Sequence, residues 1–268
     1  MSQTTTLPGG QQVHYVDSPG PSATAPTVVL LHAFLMDNRM FEPQLEALGH
    51  DFRLVAVDER GHGGTPGNGP FDYWDVARDV LVLLDELQVE RAAVVGTSQG
   101  GFVGMRMALL APERVSALAV LGTSANAQDP EIAAGYLQMG EIWAAKGGTA
   151  ELVDTMVAIC LGSRAPESVQ ATWRAAWAQV PGDRVLANIR PLVSRDSLVE
   201  RLPEISCPTL VLHGSADAAY PVAHGQQIVD GVPGAEPLVL VEGGAHFLSL
   251  TDAEEVNPSL RAFLAKQA

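Results

Sequence analysis

Cysteine is scarce: the 268 residues contain two, Cys160 and Cys207, far apart and without CxxC or metal-ligand spacing. Such a chain does not depend on a disulfide framework. Positive charge is scarce too. Sixteen Lys and Arg stand against 31 Asp and Glu, a formal net charge of −15. A nucleic-acid binder needs a basic surface to meet phosphates, and an anionic membrane repels an acidic protein, so neither partner is expected. The acidity reads as solubility. No apolar run approaches the roughly 18 residues that a membrane span requires. No charged n-region leads into an apolar stretch, so no signal peptide is expected and a cytoplasmic location is the default. The single Asn-x-Ser/Thr candidate, Asn257-Pro258-Ser259, has proline in the disqualifying position. Internal repeats and low-complexity segments are missing as well.

What is present is an ordinary globular composition, 47% hydrophobic and 18% charged. The length suits one large core, or a core with an inserted lobe. Short continuous apolar runs recur at Val28–Leu31, Leu54–Val57, Ala92–Val95, Leu118–Leu121, Leu210–Leu212 and Leu238–Val241. Runs without alternation are what a parallel sheet covered on both faces requires. Helical patterns fall between them. One is capped by Asp37 and stops at Gly49, one begins near Asp72, and others cover Gln99–Leu110, Val222–Asp230 and Glu254–Lys266. Alternating strands and helices predict an α/β, doubly wound, mostly parallel sheet. The pattern breaks between about Ala127 and Pro203, where helical periodicity persists without a convincing strand. This stretch holds three of the four tryptophans, Trp143, Trp173 and Trp177. It is expected to be a helical lobe inserted between two strands.

Gly96-Thr97-Ser98-Gln99-Gly100 matches G-x-S-x-G, after a predicted strand and before a predicted helix, which is the context the motif needs. A nucleophile there sits on a sharp, strained turn with its hydroxyl above the sheet edge. Glycine on both flanks lets the backbone crowd. The helix start behind it favours a developing oxyanion. The alternative, a phosphate-cradling turn, lacks the Lys of a P-loop. In this architecture the acid and then the histidine follow the serine along the chain. Of seven histidines, His213, His224 and His246 follow the helical lobe. His246, in Gly243-Gly244-Ala245-His246-Phe247 just after the last strand, is the expected general base. His213 reads as a core histidine and His224 as a helix-surface residue. Asp217 is the only carboxylate of the strand-end loop His213–Asp217 and is the expected partner of His246, with Glu242 as fallback. Oxyanion donors are expected from the main chain of Gln99 and of Phe34, in His32-Ala33-Phe34, with His32 bracing that loop. Asp58-Glu59-Arg60-Gly61-His62-Gly63-Gly64 does not fit G-x-G-x-x-G. It reads as a structural turn held by Asp58 and Arg60. No cofactor and no metal is expected.

Together His32-Ala33-Phe34, Asp58–Gly63, Gly96–Gly101, Gly214–Asp217 with Pro221, and Gly244-Ala245-His246 resemble the α/β-hydrolase superfamily over nearly the whole chain. Within it the chain looks most like bacterial enol-lactonases of the 3-oxoadipate type, small esterases and cofactor-free haloperoxidases. The resemblance implies Ser98, Asp217 and His246 as a catalytic triad and Phe34 and Gln99 as oxyanion donors. It also implies a core of residues 1–126 and 207–268 under a helical cap of 127–206. Ala33 stands where the family usually has glycine. Gln99 stands where many members have methionine, which points to a more polar pocket floor. Ser98 excludes relatives that use an aspartate nucleophile. The expected activity is hydrolysis of a small ester or lactone through an acyl-enzyme. Phe34, Met36, Trp143, Trp173 and Trp177 are candidate pocket liners, with packing as the competing role. Arg60, Arg164, Arg174 and Arg190 are candidates for a substrate carboxylate. Carbon–carbon bond hydrolysis of a vinylogous diketone, perhydrolysis, and slow-turnover ligand reception are the rival functions. A homo-oligomer is left open.

Overall fold

The computed structural model describes residues 2–267. Six of its eight strands are the apolar runs read from the sequence: β3 (Thr27–Leu31), β4 (Arg53–Val57), β5 (Ala92–Thr97), β6 (Val115–Leu121), β7 (Thr209–Gly214) and β8 (Val239–Val241). The runs in β3 through β7 are buried nearly end to end, because helices cover both faces of the sheet. β8 lies at the sheet edge, and Leu240 is exposed there.

Two strands have no such run. β1 (Ser2–Thr6) and β2 (Gln12–Ser18) form an antiparallel pair, and β2 then runs antiparallel to β4. β1 is Ser-Gln-Thr-Thr-Thr, largely exposed. β2 buries only Val13 and Tyr15. An edge hairpin with one face in water needs alternation at most, so continuous apolarity was the wrong signal there.

The sheet order is β1-β2-β4-β3-β5-β6-β7-β8, and β4 to β8 run parallel. From β3 the chain steps outward to β4, then crosses back to place β5 on the other side of β3. The order therefore reverses between β3 and β5. Ligands bind above the carboxyl ends of strands at such a reversal.

The helices follow from local chemistry. Asp37 caps a short 3-10 turn, Asn38–Phe41, that leads into α1 (Glu42–Leu48) and ends at Gly49. α2 (Tyr73–Glu86) starts at Asp72, whose side chain accepts from the Asp75 N–H at 2.9 Å while Asp75 reciprocates at 3.1 Å. Its Val76, Val80, Leu83 and Leu84 recur at helical spacing and are buried. α3 (Gln99–Leu110) follows β5 directly.

Between β6 and β7 the described residues hold helices and no strand. They are α4 (Pro130–Lys146), α5 (Ala150–Met156), a π turn at Val157–Leu161, α6 (Glu167–Ala178), α7 (Gly182–Ser194) and a 3-10 turn at Val199–Glu204. α8 (Val222–Gly231), the short α9 (Leu248–Thr251) and α10 (Ala253–Ala265) complete the chain. No helix of the described residues is long and apolar enough to cross a membrane.

Candidate active site

Ser98 sits between β5 and α3 with φ 52° and ψ −110°, a left-handed conformation that costs a non-glycine residue energy. The turn is held because its neighbours over-determine it. The Ser98 N–H donates to Leu121 O at 2.8 Å, and its carbonyl accepts from Thr123 Oγ1 at 2.7 Å and the Gly101 N–H at 2.9 Å. The flanking glycines are steric necessities. A Cβ on Gly100 would lie 2.0 Å from Leu31 O, and one on Gly96 2.2 Å from Gly100 O. Gly100→Ala is therefore expected to cost about 3 kcal/mol or more, through overpacking against the β3 backbone. A urea midpoint shift measures it, and a variant within 1 kcal/mol of wild type, roughly, would contradict the packing argument.

The other groups arrive from neighbouring strand ends. β7 and β8 pair at Gly214–Val241, and past them Ser215 N–H donates to Val241 O and Ala216 N–H to Gly244 O. This stitching holds the two loops side by side. His246 Nε2 lies 2.9 Å from Ser98 Oγ, and His246 Nδ1 lies 2.9 Å from Asp217 Oδ2. Asp217 Oδ1 accepts the Ala219 and Tyr220 N–H groups at 2.8 and 2.9 Å. Burial works to raise the Asp217 pKa. His246, His213 and the Tyr220 N–H outweigh it and hold the carboxyl well below its usual range. Ionised Asp217 accepts from His246 Nδ1–H, which leaves the Nε2 lone pair facing the serine hydroxyl.

His213, which the sequence marks as a core residue, is fully buried, yet its Nε2 is 3.3 Å from the same Asp217 oxygen and 3.0 Å from Tyr220 O. Its place four residues before Asp217 was the available signal. Glu242, the fallback acid, is exposed and accepts from the Ser215 hydroxyl at 3.0 Å instead. His224 is half-buried against the Tyr220 ring, not a free surface residue.

The main-chain N–H groups of Phe34 and Gln99 donate to no other group among the described residues. They follow adjacent parallel strands, β3 and β5, paired at Leu31–Gly96. The loop turns through Leu35 at φ 57°. His32 braces it as expected, with Nδ1 2.8 Å from Ala33 O and Nε2 accepting the Glu59 N–H at 2.9 Å. Asp58 and Arg60 hold the next turn. Asp58 accepts from Asn38 and Gly64, and Arg60 pairs with Asp79 through two 2.7 Å bonds.

The Gln99 side chain does not face a pocket. It is 2% exposed, donates to Glu59 Oε2 at 2.8 Å and accepts from the Tyr73 hydroxyl at 3.1 Å. Glu59 is equally buried, and its Oε1 has no partner among the described residues. Burial pushes its carboxyl up to about 7, with Asp58 adding to the rise and His32 and Gln99 opposing it. Between its unfolded value, near 4.5, and 7, the folded state holds a proton that the unfolded chain has lost. Stability from this group therefore falls as pH rises through that window and stays low above it. Glu59→Gln should be close to neutral at pH 5 and stabilising at pH 8, by on the order of 3 kcal/mol. Melting temperatures of both proteins at the two pH values check this; a pH-independent difference would refute it.

The tryptophans expected to line a pocket mostly pack. Trp143 and Trp177 have no exposed surface, and their indole N–H groups donate to Val180 O and Leu35 O, both at 3.0 Å. Met36 is 1% exposed. Groups without accessible surface cannot touch a ligand in this conformation. Trp173 does border a cavity of about 800 Å³, with His14, Arg39, Asp58, His62, Arg184 and Asn188 among the other walls, but Ser98, Asp217 and His246 are not among them. Phe34 stands edge-on to Tyr136 of α4, and the Tyr220 ring lies 5.4 Å from that of His246. Of the arginines considered for a substrate carboxylate, Arg60 pairs with Asp79, Arg164 with Asp252 and Glu255, and Arg174 with Asp154, while Arg190 is exposed.

A family model for the alpha/beta hydrolase fold matches residues 26–253, and the chain belongs to that family. It is a hydrolase of the α/β fold. Among its relatives is a protein of Rhizobium rhizogenes named "Putative carbamate hydrolase RutD", 31% identical over 94% of this chain and 96% of its own length. A thermophilic esterase from Thermogutta terrifontis superposes with a TM-score of 0.89 at 25% identity, over 100% of this chain and 99% of that one. The enol-lactonase from Burkholderia xenovorans LB400 superposes with a TM-score of 0.88 at 26% identity, over 98% and 100%.

Proposed function

We propose that the protein is a serine hydrolase that cleaves a small carboxylic ester or lactone through an acyl-enzyme. The observation that carries this reading is the unbroken chain from Ser98 Oγ through His246 to Asp217, both links at 2.9 Å, beside two unspent N–H groups. His246 Nε2 takes the hydroxyl proton as Oγ bonds to the carbonyl carbon. The carbonyl electrons move to an oxyanion held by the Phe34 and Gln99 N–H groups. The intermediate collapses, the alkoxide leaves with the proton from His246, and Ser98 is acylated. His246 then deprotonates a water that attacks the acyl carbon, and returns that proton to Ser98 as the acid departs. Asp217 stabilises the imidazolium and does not itself take the proton. In a lactone the leaving oxygen stays tethered and the product is one hydroxy acid.

Residues 127–206 act as the cap. Phe247 N–H donates to Cys160 O at 2.9 Å, Trp177 donates to the Leu35 carbonyl, and Tyr136 meets Phe34, so this segment touches the loops on either side of Ser98. Ser98 and His246 are correspondingly only 5% and 4% exposed. The relatives' names, esterase, enol-lactonase and carbamate hydrolase, all describe cleavage next to a carbonyl, the class of reaction this geometry serves.

Rapid mixing with p-nitrophenyl acetate, followed by steady-state assays on γ- and δ-lactones and an alkyl carbamate, tests the reading. With deacylation limiting at saturating ester, a burst of nitrophenol equal to the enzyme concentration and an acetylated Ser98 trapped in acid are expected together. An acetyl group carried by a residue other than Ser98, or hydrolysis undiminished in Ser98→Ala, would overturn it.

A further inference from the structure

Glu59, in the turn after β4, is 1% exposed and hydrogen-bonds to none of Ser98, Asp217 and His246 among the described residues. It is tied instead to both loops that carry the oxyanion donors. Its main-chain N–H donates to His32 Nε2 at 2.9 Å, and His32 Nδ1 lies 2.8 Å from Ala33 O, one residue before Phe34. Its carboxyl accepts from Gln99 Nε2 at 2.8 Å, and the oxygen of that amide accepts from the Tyr73 hydroxyl at 3.1 Å. No other residue among those described hydrogen-bonds to both His32 and the Gln99 side chain. An oxyanion hole works because its donors are fixed before charge develops, and small displacements are expensive. Phe34 and Gln99 follow different strands. Beyond the Leu31–Gly96 pair that ends them, Glu59 is the residue that bridges the two turns.

The bridge carries no counter-charge. Oε1 has no partner among the described residues, and no Lys or Arg there pairs with either oxygen. Arg60, next in the chain, is engaged by Asp79. Asp58, on the other side, has the sign that ionised Glu59 would have. Tyr73 on α2 is held neutral by burial, and so is His62, whose ring centre lies 5.0 Å from that of His32. His32 could compensate a carboxylate only by taking a proton on Nε2, which would break its bond to the Glu59 N–H. A carboxylate formed here would therefore stand unpaired behind the donors and repel the oxyanion they serve. We propose that Glu59 is a positioning residue for the oxyanion hole: as the neutral acid it holds the Gln99 and Phe34 N–H groups in register, and its ionisation weakens their hold on the transition state. This rests on Ser98 being the nucleophile and on those two N–H groups being the donors. Burial centres the Glu59 titration at about 7, so the loss falls near neutral pH.

Profiles of kcat/KM against pH on p-nitrophenyl acetate, for wild type, Glu59→Gln and Glu59→Leu, test it. Glu59→Gln still accepts from Gln99 but cannot ionise. It should match wild type within about twofold at pH 5.5 and exceed it by about tenfold at pH 9, a fraction of what a lost oxyanion donor costs. The two profiles should part with a midpoint at about 7. Glu59→Leu removes the acceptor of Gln99 and should lose about tenfold at pH 6, a loss that Glu59→Gln does not share. A merely structural role would lower stability and leave the shape of the profile alone. Superimposed profiles for wild type and Glu59→Gln would overturn the proposal, and this comparison decides the matter if Glu59→Leu fails to fold. The main-chain amide shifts of Gln99 and Phe34, followed by NMR, report on the donors without turnover. In wild type they should show a titration step at about 7 that is missing from Glu59→Gln. That step, seen while Ser98→Ala hydrolyses the ester as well as wild type, would sink the nucleophile reading and keep the hold of Glu59 on the two N–H groups. Superimposed profiles and no such step, with Ser98→Ala inactive, would do the reverse.

Discussion

Replacing Ser98 by alanine is expected to lower kcat on p-nitrophenyl acetate by at least about 10⁴-fold, with KM little changed. In the proposed mechanism the hydroxyl oxygen is the atom that bonds to the carbonyl carbon, and no other hydroxyl among the described residues hydrogen-bonds to His246. His246→Ala should cost a similar factor, because a hydroxyl without a base is a weak nucleophile. The double variant should be no worse than either single one, since the two groups act as a unit. Multiplying losses would mean that Ser98 and His246 contribute separately and that the 2.9 Å contact between them is not the working one. The residual rate should still exceed that in water, because the Phe34 and Gln99 N–H groups remain.

Asp217→Asn is expected to lower kcat by about 10³–10⁴-fold while leaving the backbone in place. The reason lies in how the carboxylate is held. Oδ1 accepts two main-chain N–H groups, from Ala219 and Tyr220. An asparagine must put its carbonyl oxygen there, which turns its NH₂ towards His246 Nδ1. That group donates, so Nδ1 must accept and the ring proton moves to Nε2. A protonated Nε2 cannot take the proton of Ser98. Near-normal kcat in Asp217→Asn would show that the tautomer of His246 is set elsewhere, and His213, 3.3 Å from the same oxygen, is where that role would be sought.

How far these groups could be read from the sequence depended on the range of the physics that places them. β3 to β8 were legible because burial on both faces demands a continuous apolar run, and that run is local. β1 and β2 were not, since a polar edge hairpin is specified by its pairing with β4, a long-range fact. Ser98, Asp217 and His246 could be nominated because each follows a recognisable strand, and chain order separates the acid from the base. The Glu59–Gln99–Tyr73 chain had no local signature. Its members lie on three different elements, and only the fold reveals that a carboxyl is buried behind the residue after Ser98. The tryptophans show the converse. Their size marked them as important, but Trp143 and Trp177 spend it on packing helices together, one within the helical segment and one against the Phe34 loop.

The most direct test of the account is a fluorophosphonate probe, with the adduct mapped by mass spectrometry on wild type and on Ser98→Ala. One adduct per chain, on the Ser98 peptide and absent from the variant, is the predicted result. A folded protein that hydrolyses esters yet carries its adduct on another residue, or carries none, would contradict it.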